Sequence, residues 1–246
     1  MSSKKENNTL QDQLKKTRSR QKSYVMDLRI HSPSSLGYLG IEGIETAPAL
    51  VRLAKVKKID LIAVTDFHSG NFIDQLQLAA QESSITVIPG VVIRCAIEEC
   101  DDVTLSCLFP EQFGSKEINQ FLSELKVPES EYGNRSYRVN ASLEEIISIA
   151  EKNDGILIPS RMDKTPYRKA AIITLVNKYG FRAFDIAYAD SKAFFKQNWP
   201  KIKFQLFSFS NAEALAQVGS RISKIKMSNP GFEGLKEVAM RREGVN

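Results

Sequence analysis

Ile62-Ala63-Val64-Thr65-Asp66-Phe67-His68 is the stretch that decides the fold. An apolar run rich in β-branched residues, beginning at Ile59, gives way abruptly to Thr65, Asp66 and His68. Runs of this kind form strands covered on both faces, as in a parallel sheet wrapped by helices. Polar residues at the carboxyl end of such a strand stand where α/β folds gather their chemistry.

The pattern continues in both directions. Residues 24–30 read as a first strand, and Thr46 as the cap of a helix carrying Leu50, Leu53, Ala54 and Val56, with Pro48 in its first turn. Residues 72–80 are amphipathic at helical spacing, and residues 85–88 form another buried strand. Pro89-Gly90 interrupts it before Val91-Val92-Ile93 resumes. A strand at 104–109, a helix at 116–126 and a polar surface loop at 128–140 follow. Ser142 and Glu145 make a capping box ahead of a helix with Ile146, Ile147, Ile149 and Ala150 on its apolar side. Strands are expected at 155–159, 183–188, 204–209 and 221–227, and a closing helix at 232–241. These units fit a closed or nearly closed barrel of parallel strands and helices, with chemistry at the carboxyl ends of the strands.

Composition bounds the class. With 246 residues, 42% hydrophobic and 26% charged, the chain suits one large globular α/β domain. No run is long and apolar enough to span a bilayer and the first twenty residues carry no apolar signal core, so a cytoplasmic location without membrane contact is expected. Cys95, Cys100 and Cys107 are odd in number and lack paired spacing, which reads as ordinary thiols. The net charge of +5 resides in residues 2–22, where seven basic residues face Glu6 and Asp12. A basic, polar N-terminal tail over 1–22 is therefore expected ahead of a domain over 23–246. The tail serves either as a solubilising terminus or as an arm making salt-sensitive contact with nucleic acid or an acidic partner. Phe194, Phe195 and Trp199 read as core packing or, alternatively, an exposed contact patch.

Five fragments resemble the PHP (polymerase and histidinol phosphatase) family, each at the end of an expected strand. Asp27-Leu28-Arg29-Ile30-His31-Ser32 resembles that family's D-L-H-x-H-S, and residues 62–68 its I-A-x-T-D-H. Ile88-Pro89-Gly90-Val91-Val92 resembles I-P-G-x-E, residues 155–164 resemble G-I-P-V-P-A-H-x-D-R, and residues 208–213 resemble S-S-D-A-H. The resemblance spans about residues 23–242 and implies a distorted (β/α)7 barrel, TIM-barrel-like. Members of that family hold two or three divalent cations that activate water for phosphoester hydrolysis. Here the ligand positions carry Arg29, Phe67, Val92, Arg161, Asn211 and Glu213, and only His31 and Asp66 match the pattern. Arginine, phenylalanine and valine offer no lone pair to a metal, so no multinuclear site and no cofactor are expected.

Two fates for the altered mouth are open. Arg29 and Arg161 neutralise Asp66, Asp163 or Glu213 as ion pairs, or they bind a phosphate or carboxylate ligand together with Arg94 and Lys164. Asn211 belongs to the same group. The resulting expectation is a non-catalytic PHP-like protein that binds a protein partner or a phosphorylated ligand. The alternatives are a phosphoesterase with one zinc or manganese ion on His31, Asp66, His68 and Glu213, and a nucleic-acid accessory protein.

Overall fold

Nine strands and seven α-helices alternate along the described residues, which in this computed structural model are 21–240. In order they are β1 (Lys22–Ile30), α1 (Thr46–Val56), β2 (Leu61–Val64), α2 (Ile73–Ala80), β3 (Thr86–Val87), β4 (Gly90–Ile97), β5 (Cys100–Leu108), α3 (Ser115–Glu124), α4 (Leu143–Lys152), β6 (Ile156–Pro159), α5 (Pro166–Asn177), β7 (Ala183–Asp185), α6 (Ser191–Asn198), β8 (Gln205–Phe207), β9 (Ser223–Met227) and α7 (Phe232–Ala239). Of the expected tail, residues 1–20 lie outside the described range, and Lys22 already opens β1.

Local chemistry explains several boundaries. Ser142 Oγ accepts from Glu145 N at 3.2 Å while Glu145 Oε2 accepts from Ser142 N at 2.8 Å, so the capping box forms as read. Thr46, by contrast, is the first residue of α1 and not its cap, because Glu45 occupies the cap position. Helix α5 is marked in the sequence only by Thr165, which caps Arg168 N at 3.2 Å, and by Pro166 behind it. Its apolar residues surround the axis instead of forming one stripe, which hides it from periodicity.

The strands pair into three sheets, ordered β3-β2-β1-β9, β4-β5-β6 and β7-β8. The parallel course expected of all the strands is not what forms among the described residues. β1, β2 and β3 are parallel, as are β7 and β8, but β9 runs antiparallel to β1, and β5 runs antiparallel to both its neighbours, β4 and β6. The reversal between β4 and β5 turns on Glu98-Glu99, which carries none of the Asn-Gly or Asp-Gly signals of a hairpin. Bridges join the sheets at Phe67 and Val92, Ser160 and Asp185, and Ile30 and Ala212.

One buried cluster takes Met26 and Leu28 of β1, Leu61 and Ala63 of β2, Leu108 of β5, Ile156 and Ile158 of β6, Ala183 of β7, Phe207 of β8 and Met227 of β9. This cluster is supplied by seven strands, and Phe232 and Leu235 of α7 complete it. Phe195 is buried, and Phe194, Trp199 and Phe204 pack around it, which gives the aromatic group its core role.

Gly90 sits where β4 passes closest to its neighbours. A Cβ there would lie 2.7 Å from Leu108 Cδ2 and 2.9 Å from both Cys107 O and Thr65 Cγ2. Two of these obstacles are core side chains and one is backbone, so the crossing cannot relax cheaply. Gly90→Ala should therefore cost about 1–3 kcal/mol. Urea unfolding should show a lower midpoint at unchanged slope; an unchanged midpoint would mean the crossing is loose.

Candidate functional site

The carboxyl ends of β1, β2 and β6 meet the β4–β5 hairpin and the start of α5 around a cleft of about 210 Å³. Six cationic side chains line it: Arg29, Arg94, Arg135, Arg161, Lys164 and Arg168. The carboxylates in its wall are Asp102 and Glu213, with Phe67, Thr104 and Asn211 between. Cations gathered in a concave, partly desolvated wall focus a positive field into the space they enclose.

Arg29 sets the floor. Its side chain is only 4% exposed, and it faces the fully buried carboxylate of Asp185 at 3.7 Å, beyond hydrogen-bonding distance. Its Nε and Nη1 have no hydrogen-bond partner, and neither has Asp185 Oδ2. Burial, with Arg161 and Arg168 nearby, lowers the Arg29 guanidinium to about 10 despite the attraction of Asp185. Burial likewise raises the Asp185 carboxyl to about 6, while Arg29 and a bond from Phe209 N pull it back. Each partner thus pays more for desolvation than the other returns.

The walls are braced. Asp102 Oδ1 accepts from Arg94 Nε at 3.0 Å and Nη2 at 2.7 Å, and Asp102 Oδ2 stands 3.9 Å from Arg168 Nε. Arg168 Nη2 donates to Thr104 Oγ1 at 2.7 Å and Ser160 O at 3.2 Å. Arg135 reaches Glu213 at 3.7 Å across the rim. The segment 128–140 is therefore more than the expected surface loop: it carries Arg135 to the cleft and is tied to it by Gly133 N on Phe67 O and Val139 N on Arg94 O. Gly133 has φ +82, and a Cβ there would meet Ser34 O at 2.3 Å.

Backbone strain marks the same place. Among the described residues six non-glycine residues have positive φ, and Lys58, Lys126 and Asp154 simply follow helix ends. The other three, His68, Arg161 and Asn211, lie past the ends of β2, β6 and β8. Left-handed backbone at non-glycine residues is costly and clusters at binding sites.

The expected ion pairs take other forms. Asp66 pairs with neither arginine: its carboxylate accepts from Ser32 N at 2.7 Å, from Ser35 Oγ at 2.6 Å and from Ser32 Oγ. Asp163 accepts from Ala187 N at 2.7 Å, Tyr188 N at 2.9 Å and Ser191 Oγ at 2.6 Å. Both carboxylates are held by nearby backbone and hydroxyl donors, which cost less to align than a long guanidinium. Glu213 goes to Arg135, and Arg29 to Asp185. Arg161 and Lys164 have no side-chain hydrogen bond or ion pair among the described residues.

The four residues of the reduced metal site do not converge either. His31 stacks on Phe67 with centroids 4.8 Å apart and planes 10° apart, so the phenyl ring covers it. His68 is buried, its Nε2 lies 3.1 Å from Tyr137 O, and its ring meets the Tyr137 ring edge-on. Among the described residues no group of three His, Cys, Asp or Glu side chains is placed to hold a metal ion. The donor set does not fit the family's metal centre, because arginine, phenylalanine and valine stand at its ligand positions. Cys95 and Cys107 are buried in strands, where burial pushes the Cys95 thiol up to about 12. Asp185, Arg168, Arg135 and Asp102 were not legible as site residues, since none sits in a resembling motif.

No protein-family model and no curated protein sequence matches the chain. Solved structures do. The lesion-specific endonuclease PfuEndoQ of Pyrococcus furiosus aligns with TM-score 0.64 at 17% identity over 92% of this chain and 57% of that one. An endonuclease Q complex with a 27-mer duplex carrying an abasic lesion at its active site gives 0.59 at 15%, over 88% and 56%. A protein of Bifidobacterium adolescentis assigned as a metal-dependent phosphoesterase gives 0.56 at 11%, over 90% and 96%. The chain spans a little over half the length of the endonucleases and nearly all of the third protein. These likenesses establish a mixed α/β fold shared with those structures. No helix of the described residues is long and apolar enough to cross a membrane.

Titration of this site has a defined sign. Burial, reinforced by Arg29, lowers His31 to about 3, and burial lowers His68 to about 4, so the folded state holds both neutral where the unfolded chain protonates them near 6.5. Their contribution is full above 6.5 and is lost as pH falls through 4 and 3. Asp66 and Asp185, both raised to about 6 chiefly by burial, act oppositely: their contribution is full below 3.8 and is lost as pH rises through 6. The histidine contribution to stability should therefore weaken as pH falls from 6.5 to 4. Urea unfolding of His31→Phe should show a shallower fall than the parent; equal slopes would mean that His31 is not held neutral.

Proposed function

We propose that this chain is a non-catalytic PHP-fold protein, a distorted (β/α)7 barrel that binds a phosphorylated or otherwise anionic ligand at its mouth without hydrolysing it. The observation that carries the reading is the buried Arg29 guanidinium, with Nε and Nη1 unpartnered, in a cleft lined by five further cations. Guanidinium groups in such surroundings take phosphate or carboxylate oxygens in charge-assisted pairs. A bound oxyanion would supply the charge that Asp185, at 3.7 Å, supplies only in part. Hydrolysis would need an activated water, and the residues at the former ligand positions offer no donor set to generate one.

A second reading, contact with nucleic acid through the same cleft, is favoured by the endonuclease likeness and by the excess of cations around the mouth. It would appear as strongly salt-dependent binding of oligonucleotides.

Calorimetric titration with sulfate or orthophosphate should show one site per chain, weakened about tenfold or more in Arg168→Met. A phosphatase assay with added manganese or zinc should show no turnover. Stoichiometric bound metal, with turnover abolished by His31→Ala, would replace this reading with that of a remodelled phosphoesterase.

A further inference from the structure

The cleft holds more positive charge than one phosphoryl group can neutralise. Six cations line it, and three carboxylates stand against them: Asp102 and Glu213 in the wall, and Asp185 facing Arg29. Three positive charges are left. A terminal phosphoryl group carries about −1.5 to −2 at neutral pH, and two adjoining ones about −3. A nucleic-acid linkage brings only one negative charge, so two of them would leave the cleft positive.

The cations also lie at two depths. Arg29 is buried at the floor, with the half-buried Arg168 beside Thr104 and Ser160. Arg161 is half-buried and Lys164 exposed, and neither has a side-chain partner among the described residues. Arg161 is also held in the left-handed region at φ 54, with its N donating to Asp185 O at 2.6 Å. Backbone strain thus falls at a residue whose guanidinium makes no hydrogen bond among the described residues.

We infer that the cleft takes a ligand with two adjoining phosphoryl groups, one against Arg29 and Arg168 and the other against Arg161 and Lys164. Inorganic pyrophosphate is the smallest member of that class and a diphosphate ester the natural extension. The inference rests on the oxyanion reading above and narrows its ligand.

Calorimetric titration of the full chain near neutral pH and at physiological ionic strength, with pyrophosphate, orthophosphate and an oligonucleotide lacking terminal phosphates, tests it. Pyrophosphate should bind one per chain, about tenfold or more tighter than orthophosphate. Lys164→Ala, and Arg161→Asn, in which asparagine tolerates the positive φ, should each reduce that preference by about tenfold. Because Lys164 is exposed, its variant is expected to fold, and circular dichroism checks both. Equal affinity for pyrophosphate and orthophosphate would overturn this inference and leave the oxyanion site standing. No binding of either would overturn both. An oligonucleotide that outcompetes pyrophosphate would overturn it in favour of a nucleic-acid strand.

Discussion

The guanidinium of Arg29, taken out of water at the end of β1, is the constraint on which the mouth of this fold depends. A buried cation needs a partner, and Asp185 stands at 3.7 Å without closing a hydrogen bond. Both groups are shifted toward their neutral forms, which is what desolvation does when the mutual attraction is incomplete. A floor of that kind is unsaturated, and Arg29 lines a cleft walled by other cations.

Around this floor the carboxylates of Asp66 and Asp163 are held by donors other than the arginines. Asp66 fastens the turn at Ser32 and Ser35 beneath the mouth. Asp163 gathers Ala187 N, Tyr188 N and Ser191 Oγ, tying the end of β6 to the start of α6. His31 is sandwiched against Phe67 in a parallel stack and loses its basicity to burial. Asp66 and Asp163 thus work as structural polar groups satisfied by backbone and hydroxyl donors, while His31 Nε2 is buried without a hydrogen-bond partner. The positive charge that remains is not cancelled, and that imbalance is the physical basis for reading the cleft as a binding site for anions.

The architecture makes the cleft possible. The β4–β5 hairpin brings Arg94 and Asp102 into register beside Thr104, and α5 carries Arg168 across to the same threonine. The segment after α3 folds back to place Arg135 on the rim through Gly133 and Val139. Three sheets joined by single bridges hold these elements together, with an apolar interior drawn from seven strands.

The apolar runs at 59–64 and 85–93, the capping box at Ser142 and the motif-bearing strand ends were legible because they rest on local pattern: β-branched runs, capping chemistry and residue type. The sequence by itself determined a strand-and-helix α/β class, residue types at Arg29, Phe67, Val92 and Arg161 that cannot ligate a metal, and the candidacy of Arg94 and Lys164. Three things came only from the tertiary structure. These are the antiparallel course of β4 to β6, hidden behind a Glu98-Glu99 turn; helix α5, whose apolar residues form no stripe; and the partners of the charged residues. Asp185 lies 156 residues along the chain from Arg29, and Glu213 lies 78 from Arg135. Pairings at such separation are fixed by which strand ends the packed interior brings together, a property of the assembled core that no local spacing encodes.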